Sequence, residues 1–302
     1  MSQNQEKEIL SKKIEDMEEL ATKKESEREP TEMASFQLRI YLTVLVFCFY
    51  ISWCPILYLA GEYYRYVFGP NIPKIARVLT DFDMKGLIIL LITPVVLIVL
   101  YLLHLFLVAL STKIIYGLCE WRSPRKEVVG IAGIGKKEAQ IVNYYHIRNI
   151  PLRLVKWSFG KSPFPQFIKW AFNFVGSNQI HSTAVIEDSF YTHEFLEMQE
   201  NTFIDRKSIV SSHLVEGKYG AITLKKVVFE KNSGVGAFNL VAPGCYLEEN
   251  SYVFPNSAIL KFQRMKKNKF YDGWPIIRVT KSVYYKFFKI PKEEGDKTEG
   301  DE

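Results

Sequence analysis

Mostly aliphatic residues recur at six-residue intervals across residues 180–262 of this chain. The units begin at Ile180, Ile186, Thr192, Met198, Ile204, Val210, Glu216 and Ile222, and after a slip of one residue at Phe229, Val235, Val241, Leu247, Val253 and Ile259. This spacing fits neither the period of about 3.6 residues in a helix nor the alternation of a flat strand. It is typical of a parallel β-helix, in which each coil stacks on the one before it.

A column of small or narrow side chains supports this interpretation. In the second half of the repeat, the fourth position after the start of a unit holds Ser233, Asn239, Cys245, Ser251 or Ser257. The chain turns a tight corner there with the side chain pointing inward, where a large one would collide with the next coil. We therefore predict a left-handed parallel β-helix of hexapeptide repeats over residues 179–263. Within the column, Asn239 is expected to make internal hydrogen bonds.

Two long stretches that precede the repeat contain no charged residue, at positions 40–61 and 86–112. A helix of about 20 apolar residues crosses the hydrocarbon core of a bilayer. We therefore predict two transmembrane helices, at about 40–61 and 86–112, within a membrane segment of residues 36–116. Pro55 and Pro94 are expected to kink them. His104 in the second helix is expected to be packed or hydrogen-bonded, and the alternative is a proton carrier.

The segment of residues 117–178 mixes basic and aromatic side chains, such as Arg153, Lys156, Trp157 and Trp170. Basic flanks stay in the cytoplasm, so we expect a multi-pass membrane protein with its N-terminus and β-helix on the cytoplasmic side. A helix of this composition can lie in the headgroup layer of the membrane as an interfacial connector. Alternatively, the aromatic residues cover the open end of the β-helix, and the two interpretations are compatible.

The two ends of the chain are strongly charged. Residues 1–35 form a charged N-terminal arm, which we expect to be partly helical and solvated or to form a short coiled coil. Residues 264–302 are expected to form a C-terminal extension with an acidic, disordered tail. Its aromatic stretch at 281–290 returns to the membrane or packs along the β-helix. The net charge of the chain is +6, and its basic residues adjoin the predicted spans. Nucleic acid is therefore not the expected partner.

Three short motifs add a resemblance to a known group of enzymes. They are Ser212-His213-Leu214-Val215-Glu216 in the repeat, Gly234-Val235-Gly236, and Asp272-Gly273-Trp274-Pro275 just after the last predicted coil. With the repeat, they resemble the hexapeptide-repeat acyltransferases, and most closely the membrane-embedded C-terminal β-helix domain of ε-poly-lysine synthetase-like proteins. The chain departs from that group at Gly217, where an acidic residue is usual, and no adenylation or carrier domain is found.

This resemblance implies an activity and a set of partners. The implied reaction moves an acyl or aminoacyl group from a thioester, acyl-coenzyme A or a carrier-protein thioester, to an amine or hydroxyl. The implied assembly is a homotrimer with sites between neighbouring β-helices. Membrane lipid is a further expected partner. Because the chain has no activating domain of its own, a carrier protein or an adenylating enzyme is another.

Candidate catalytic residues follow from the chemistry of acyl transfer. The reaction needs a base, and histidine is the side chain that supplies one near neutral pH. The units that begin at Thr192 and Val210 are one coil apart on the same face, so His193 and His213 are expected to lie close together. Glu216 is expected to orient His213 or to take part in proton transfer. We expect no metal, because the spacing of the histidines does not match the close pair of a zinc site.

Two functions from different classes remain at this stage. The first is a membrane-anchored acyltransferase that acts at the cytoplasmic face of the membrane. The alternative is a non-catalytic trimeric scaffold or partner-binding module. A transporter is disfavoured, because the predicted spans contain no charged residue that could line a path. Replacement of His213 by alanine distinguishes the first two, since only the enzyme loses its activity.

Overall fold

The computed structural model describes residues 38–131, 136–216 and 221–289. The predicted N-terminal arm of residues 1–35 and most of the acidic tail lie outside these ranges, as does Gly217. Within them, two long helices lead into a short helical connector, and a stack of short parallel strands follows.

The two long helices form an antiparallel pair. They are α1 (Leu38–Tyr63) and α3 (Met84–Arg122), joined by a π-turn (Tyr64–Phe68), a 3-10 turn (Gly69–Asn71) and the short α2 (Ile72–Ala76). At one end of the pair, the Tyr63 hydroxyl is hydrogen-bonded to Thr93 at 2.8 Å. Further along, His104 Nδ1 lies 3.3 Å from the Ser52 carbonyl oxygen, so His104 is buried and hydrogen-bonded.

By length and composition, both of these helices could cross a membrane. The 39 residues of α3 make a helix of about 58 Å, which exceeds the hydrocarbon core of about 30 Å. Its N-terminal half exposes apolar side chains such as Leu91, whereas Leu105 and Val108 in its C-terminal half are buried. The helix therefore continues past the predicted end at residue 112, because its C-terminal half packs against the rest of the protein.

The connector contains one strand and two helices. These are β1 (Val128–Ile131), α4 (Lys136–Gly160), a 3-10 turn (Pro165–Phe167) and α5 (Ile168–Val175). Phe172 and Val175 of α5 are buried in the same core as Ile180 of the first coil. Asn173 fixes this contact, because its side-chain amide donates to the Ile180 carbonyl at 2.6 Å and accepts from the Ile180 N–H at 2.8 Å. Of the aromatic residues in this segment, Phe172 therefore covers the open end of the β-helix, while the placement of the connector in the headgroup layer stays a prediction.

The remaining strands build a β-helix with three faces. The first face contains β2 (Gln179–Ile180), β5 (Leu196–Met198), β10 (Val227–Phe229), β13 (Tyr246–Leu247) and β16 (Arg264–Met265). The second contains β3 (Val185–Ile186), β6 (Phe203–Ile204), β11 (Gly234–Val235), β14 (Tyr252–Val253) and β17 (Phe270–Asp272), with β18 (Ile277–Val279) at its edge. The third contains β4 (Phe190–Tyr191), β7 (Ile209–Val210), β12 (Leu240–Val241) and β15 (Ala258–Ile259).

Neighbouring coils pair in parallel, and the register places each inward residue above its counterpart. Val235, for example, pairs with Ile204 below it and Val253 above it, and all three are fully buried. The column of small residues is also buried, as Asn239 illustrates at 1% exposure. Its amide donates to the Gly236 carbonyl at 3.0 Å and its oxygen accepts from Ser257 N–H at 2.7 Å. The predicted parallel β-helix and its small-residue column are therefore confirmed, while its left hand stays a prediction.

The coil is interrupted once, and the register predicted there is wrong. Glu216 and Ile222 do not begin coil units, because β8 (His213–Glu216) and β9 (Ala221–Leu224) form an antiparallel hairpin that leaves the coil. β1 adds a third antiparallel strand to this hairpin. One coil earlier, the inward residue is Tyr191 rather than Thr192, since Tyr191 pairs with Val210. The apparent slip in the period is thus an inserted hairpin.

The β-helix also continues beyond its predicted end at residue 263. Met265 and Tyr271 lie one and two units after Ile259 and are buried at 3% and 9% exposure. Lysine-rich outward positions between them hide this continuation in the sequence. After β18, helix α6 (Lys281–Phe288) packs on the β-helix, where the rings of Phe287 and Phe254 lie 4.8 Å apart.

Candidate functional site

Two of the three predicted catalytic residues, His193 and His213, lie at the corner where the third face returns to the first. His193 follows β4 there, and His213 opens the inserted hairpin one coil later. The Lys225 N–H donates to the Ser212 carbonyl at 2.9 Å, which closes the base of the hairpin. Helix α4 of the connector covers this corner, and we call the region the hairpin corner.

A buried ion pair fixes α4 to the hairpin corner. Arg148 Nε donates to Glu194 Oε1 at 2.7 Å, and the two side chains are only 1% and 0% exposed. A second guanidinium nitrogen of Arg148 donates to the Ser123 carbonyl at 3.2 Å. The Glu194 carbonyl accepts from the Ser212 hydroxyl at 2.8 Å and from Thr192 at 2.9 Å. Adjacent coils and the covering helix are therefore joined at one residue.

His213 lies in a pocket of aromatic rings from α4. Its ring centroid is 5.0 Å from that of Tyr145 and 5.7 Å from that of His146, with the two imidazoles nearly perpendicular. At its backbone, the Ser211 hydroxyl donates to the His213 carbonyl at 2.5 Å. Its Nε2 atom is buried, and among the described residues it has no hydrogen-bond partner. Buried polar atoms without a partner are rare and mark places where a ligand can bind.

Burial keeps this imidazole neutral. Burial, followed by the nearby His146 and Arg153, lowers the pKa of His213 to about 4. The pKa of His146 is lowered too, first by burial and then by Arg153. At neutral pH the Nε2 lone pair of His213 is therefore available to accept a proton, although the imidazole is a weak base until its surroundings change.

His193 lies beside a lysine of α4. The ammonium group of Lys156 donates to the Tyr191 carbonyl at 2.8 Å and lies 4.2 Å from the centre of the Tyr191 ring. Burial lowers the pKa of Lys156 to about 8. Burial, followed by Lys156 and Arg153, lowers the pKa of His193 to about 3. The positive charge of Arg153 thus lowers the pKa of both His193 and His213.

Glu216 lies away from His213. Its carboxylate forms an ion pair with Lys261 Nζ at 2.8 Å. Both Glu216 and His213 belong to β8, and residues three apart in a strand point to opposite faces. The carboxylate of Glu216 is thus bonded to Lys261. The role of Glu216 in orienting His213 stays a prediction.

Sequence reasoning did not select the α4 residues of this site. His146, Arg153 and Lys156 are seven and three residues apart, a spacing that puts them on one helix face. The same mixture of basic and aromatic residues is also typical of a surface for lipid headgroups, so the sequence does not single out these residues. Only the tertiary structure shows that this face meets His193 and His213.

Two cavities lie outside the hairpin corner. One of about 820 Å³ is lined by polar residues of the first face and of α5, including His181, Gln199 and Lys231. The other, of about 410 Å³, is apolar and lies between α3 and the aromatic residues Phe167 and Trp170. Among the described residues, no group of three His, Cys, Asp or Glu side chains could hold a metal ion.

Three solved structures with a similar arrangement are named as acetyltransferases. A maltose O-acetyltransferase from Clostridium difficile 630 is 9% identical, with a TM-score of 0.37, over 50% of this chain and 91% of its own. A galactoside acetyltransferase in complex with coenzyme A is 12% identical, with a TM-score of 0.35, over 43% and 78%. A hexapeptide-repeat acetyltransferase from Vibrio cholerae O1 biovar eltor, complexed with acetyl coenzyme A, is 13% identical, with a TM-score of 0.34, over 43% and 84%.

No protein-family model matches the chain, and no curated protein matches it either. These three similarities have TM-scores below 0.5, so the β-helix described above rests on the strand pairing of this chain.

Proposed function

We propose that this chain is a membrane-anchored acyltransferase whose general base is His213. The observation that carries the proposal is the buried Nε2 atom of His213, which lacks a hydrogen-bond partner among the described residues. It lies where the regular coil is interrupted by an inserted hairpin. A regular structural role would give this nitrogen a partner, whereas a base needs it free for the substrate.

The proposed reaction transfers an acyl group from a thioester to an amine or a hydroxyl. His213 Nε2 takes the proton from the N–H or O–H of the acceptor as the acceptor atom attacks the thioester carbonyl carbon. The new C–N or C–O bond forms, the C–S bond breaks, and the imidazolium returns the proton to the departing sulfur. The products are the acylated acceptor and a free thiol.

The surroundings of His213 suit this step. The rings of Tyr145 and His146 cover the imidazole at 5.0 and 5.7 Å and limit the access of water, which would hydrolyse the thioester. The donor is acyl-coenzyme A or a carrier-protein thioester, as the resemblance implies, and a carrier protein or adenylating enzyme would supply the latter. The likeness to ε-poly-lysine synthetase-like domains, and with it aminoacyl transfer, belongs to this proposal.

The proposal includes a membrane setting and an assembly. α1 and α3 anchor the protein, with the N-terminus and β-helix on the cytoplasmic side. For a homotrimer, the third face offers an apolar stripe, in which Phe190, Ile209 and Leu240 pair in register and are 71%, 46% and 41% exposed. Exposed apolar stripes of this kind support association with further copies. Chemical cross-linking of the detergent-purified protein tests the trimer, and a product that stops at dimers would contradict it.

The experiment that tests the activity compares two histidine variants. Acyl transfer from a panel of coenzyme A thioesters to amines and alcohols is measured for the wild type, His213→Ala and His181→Ala. We expect His213→Ala to lose about 10²- to 10⁴-fold in rate, the range for removal of a general base. The exposed His181, which bonds to Thr183, is the matched control and should keep its rate.

Two outcomes would contradict the proposal. Full activity in His213→Ala would remove His213 from the mechanism. No transfer by the wild type, from coenzyme A or from acylated carrier protein, would leave the non-catalytic scaffold as the function. Thermal midpoints measured in parallel show whether a variant has lost its fold instead of its base.

A further inference from the structure

The apolar cavity between α3 and the connector has a buried floor and opens at the surface. Its volume of about 410 Å³ lies within the range of about 300–1,000 Å³ that is usual for ligand sites. Its lining side chains are all aliphatic or aromatic, and they are Leu102, Leu105, Phe106, Phe159, Phe167 and Trp170. Leu105 and Phe159 are buried, whereas the other three aromatic rings are 41% or 42% exposed. We call this site the aromatic cavity.

Contacts on both sides hold the aromatic wall of this cavity in place. The ring of Trp170 stacks on that of Phe174 at 5.1 Å, and Phe106 of α3 lies 6.4 Å from Trp170. Lys169 of the same helix, α5, donates to two backbone carbonyl groups of the segment between β2 and β3, both at 2.8 Å. The wall is therefore formed by the fold itself, as is usual for ligand sites.

A lysine lies close to the aromatic cavity. Lys113 is the first charged residue after the apolar stretch of residues 86–112, and its Nζ atom lies 4.2 Å from the centre of the Phe174 ring. Phe174 in turn lies 6.0 Å from Phe106, which lines the cavity. Lys113 is exposed, and within residues 38–131, 136–216 and 221–289 it forms no ion pair with a carboxylate. Its charge can therefore meet an anionic group beside an apolar cavity.

The distance between the cavity and this lysine matches the dimensions of a membrane leaflet. Leu102, Phe106 and Lys113 share one face of α3, because they follow at intervals of four and seven residues. Lys113 comes eleven residues after Leu102, which is about 16 Å along a helix axis. One leaflet contributes about 15 Å to a hydrocarbon core of about 30 Å. A lipid with its chain at Leu102 would thus have its headgroup at the level of Lys113.

We propose that the aromatic cavity binds an acyl chain of one anionic phospholipid whose phosphate group contacts Lys113. The aliphatic and aromatic walls pack against the hydrocarbon chain, and a lysine at the level of the headgroups attracts the phosphate. Tryptophan is enriched at this level of a membrane, where Trp170 would lie. The inference rests on the membrane anchoring within the proposed function, and it does not depend on acyl transfer.

The position of the cavity favours a membrane lipid over other occupants. Leu102 adjoins the part of α3 whose apolar side chains are exposed, such as Ile98 at 48% and Val99 at 57%. The cavity is therefore continuous along α3 with surface that lipid covers in the proposed setting. The acyl part of a thioester and a second copy of the chain are the other possible occupants, and the experiment distinguishes them.

The test counts the lipids bound to the full chain by native mass spectrometry. The protein is purified in detergent, delipidated and titrated with dioleoylphosphatidylglycerol or, for comparison, with zwitterionic dioleoylphosphatidylcholine. We expect one phosphatidylglycerol molecule to bind more tightly than those that follow it. It should also bind about fivefold more tightly than phosphatidylcholine, which is the effect of one basic residue near an anionic headgroup.

Two variants separate the acyl chain from the headgroup. Leu102→Trp puts a larger side chain into the cavity, and the exclusion of only two methylene groups should already weaken binding of either lipid by about tenfold. Lys113→Gln should remove only the preference for phosphatidylglycerol. The matched controls are Leu91→Trp, at a 65% exposed position of α3 outside the cavity, and Lys85→Gln, at the other end of α3. Both controls should bind lipid as the wild type does.

The inference is overturned if no phosphatidylglycerol binds more tightly than the rest, or if Lys113→Gln keeps the preference for it. It is also overturned if Leu102→Trp, with the thermal midpoint of the wild type, keeps the first lipid. Lys113→Gln changes an exposed side chain, so it decides the question even if Leu102→Trp has lost its fold. Displacement of the lipid by palmitoyl-coenzyme A, or its loss on dimerisation, would assign the cavity to the thioester or to a second copy.

Flotation with vesicles of the same two lipids tests the membrane anchoring separately. A chain that floats but binds no lipid tightly would refute the lipid site and leave the anchoring of the proposed function standing. A chain that stays in the soluble fraction would refute the anchoring itself.

Discussion

The coils of the β-helix and the hairpin corner use buried polar groups in opposite ways. In the coils, buried polar side chains such as Ser233 and Asn239 bond to nearby backbone, at 2.6 Å to Glu230 and 3.0 Å to Gly236. The hydroxyls of Ser189, Tyr191 and Ser251 are exceptions. At the hairpin corner, the buried Nε2 atom of His213 lacks such a partner among the described residues.

This difference shows which region of the chain can bind a ligand or substrate. A regular coil can stack only if each position satisfies its neighbours above and below, so little is left for a ligand. An inserted hairpin and a covering helix are free of that constraint. The region without the repeat is therefore the one in which unpaired groups can converge on a substrate.

The largest effect is expected when the ion pair between Arg148 of α4 and Glu194 of the hairpin corner is broken. Glu194→Ala leaves the guanidinium of Arg148 buried without its carboxylate, which should lower the free energy of unfolding by about 3–5 kcal/mol. Denaturant unfolding followed by circular dichroism measures the loss. The double variant Arg148→Met with Glu194→Leu is the control and should recover most of the stability. A cost below about 1 kcal/mol for Glu194→Ala would contradict the importance of this ion pair.

A somewhat smaller effect is expected from a cavity in the coils. Leu247 is fully buried on the first face, and Leu247→Ala should cost about 2–5 kcal/mol in stability. Leu260 is 46% exposed, so Leu260→Ala should change the stability by less than about 0.5 kcal/mol. The same unfolding experiment compares the two. Equal losses would show that the inward and outward positions of the coil are misassigned.

The smallest expected effect is the response of the hairpin corner to pH. The pKa of His213 falls from its ordinary value of 6.5 to about 4 in the folded protein. Between these values the unfolded chain binds a proton that the folded protein does not. The contribution of His213 to the free energy of unfolding is therefore fully present above pH 6.5, and it is lost as the pH falls towards 4.

Thermal unfolding of the wild type and His213→Gln across this pH range measures the effect. The variant should show a shallower loss of stability with falling pH, and the exposed His181→Gln should match the wild type. If the His213→Gln and wild-type curves run parallel, the imidazole is not held neutral by the fold.

The sequence allowed the coils to be predicted in detail and the site only in part. Val235, Val241 and Leu247 could be placed inside the β-helix because the period alone decides which way their side chains point. His193 and His213 could be placed on the same corner by the same counting. Glu216 was paired with His213 in the prediction, but its ion pair is with Lys261, 45 positions further along the chain. Contacts between distant segments leave no periodic signal.

By itself, the sequence determined the parallel β-helix, its small-residue column and the two apolar helices, because each depends on a local pattern of side chains. The tertiary structure alone decided that α4 covers the hairpin corner, that Arg148 takes up the charge of Glu194, and that Lys156 donates to the Tyr191 carbonyl. The physical reason is that burial and electrostatic interactions depend on distances through space. They set the chemistry of a histidine only after a helix remote in sequence has packed against it.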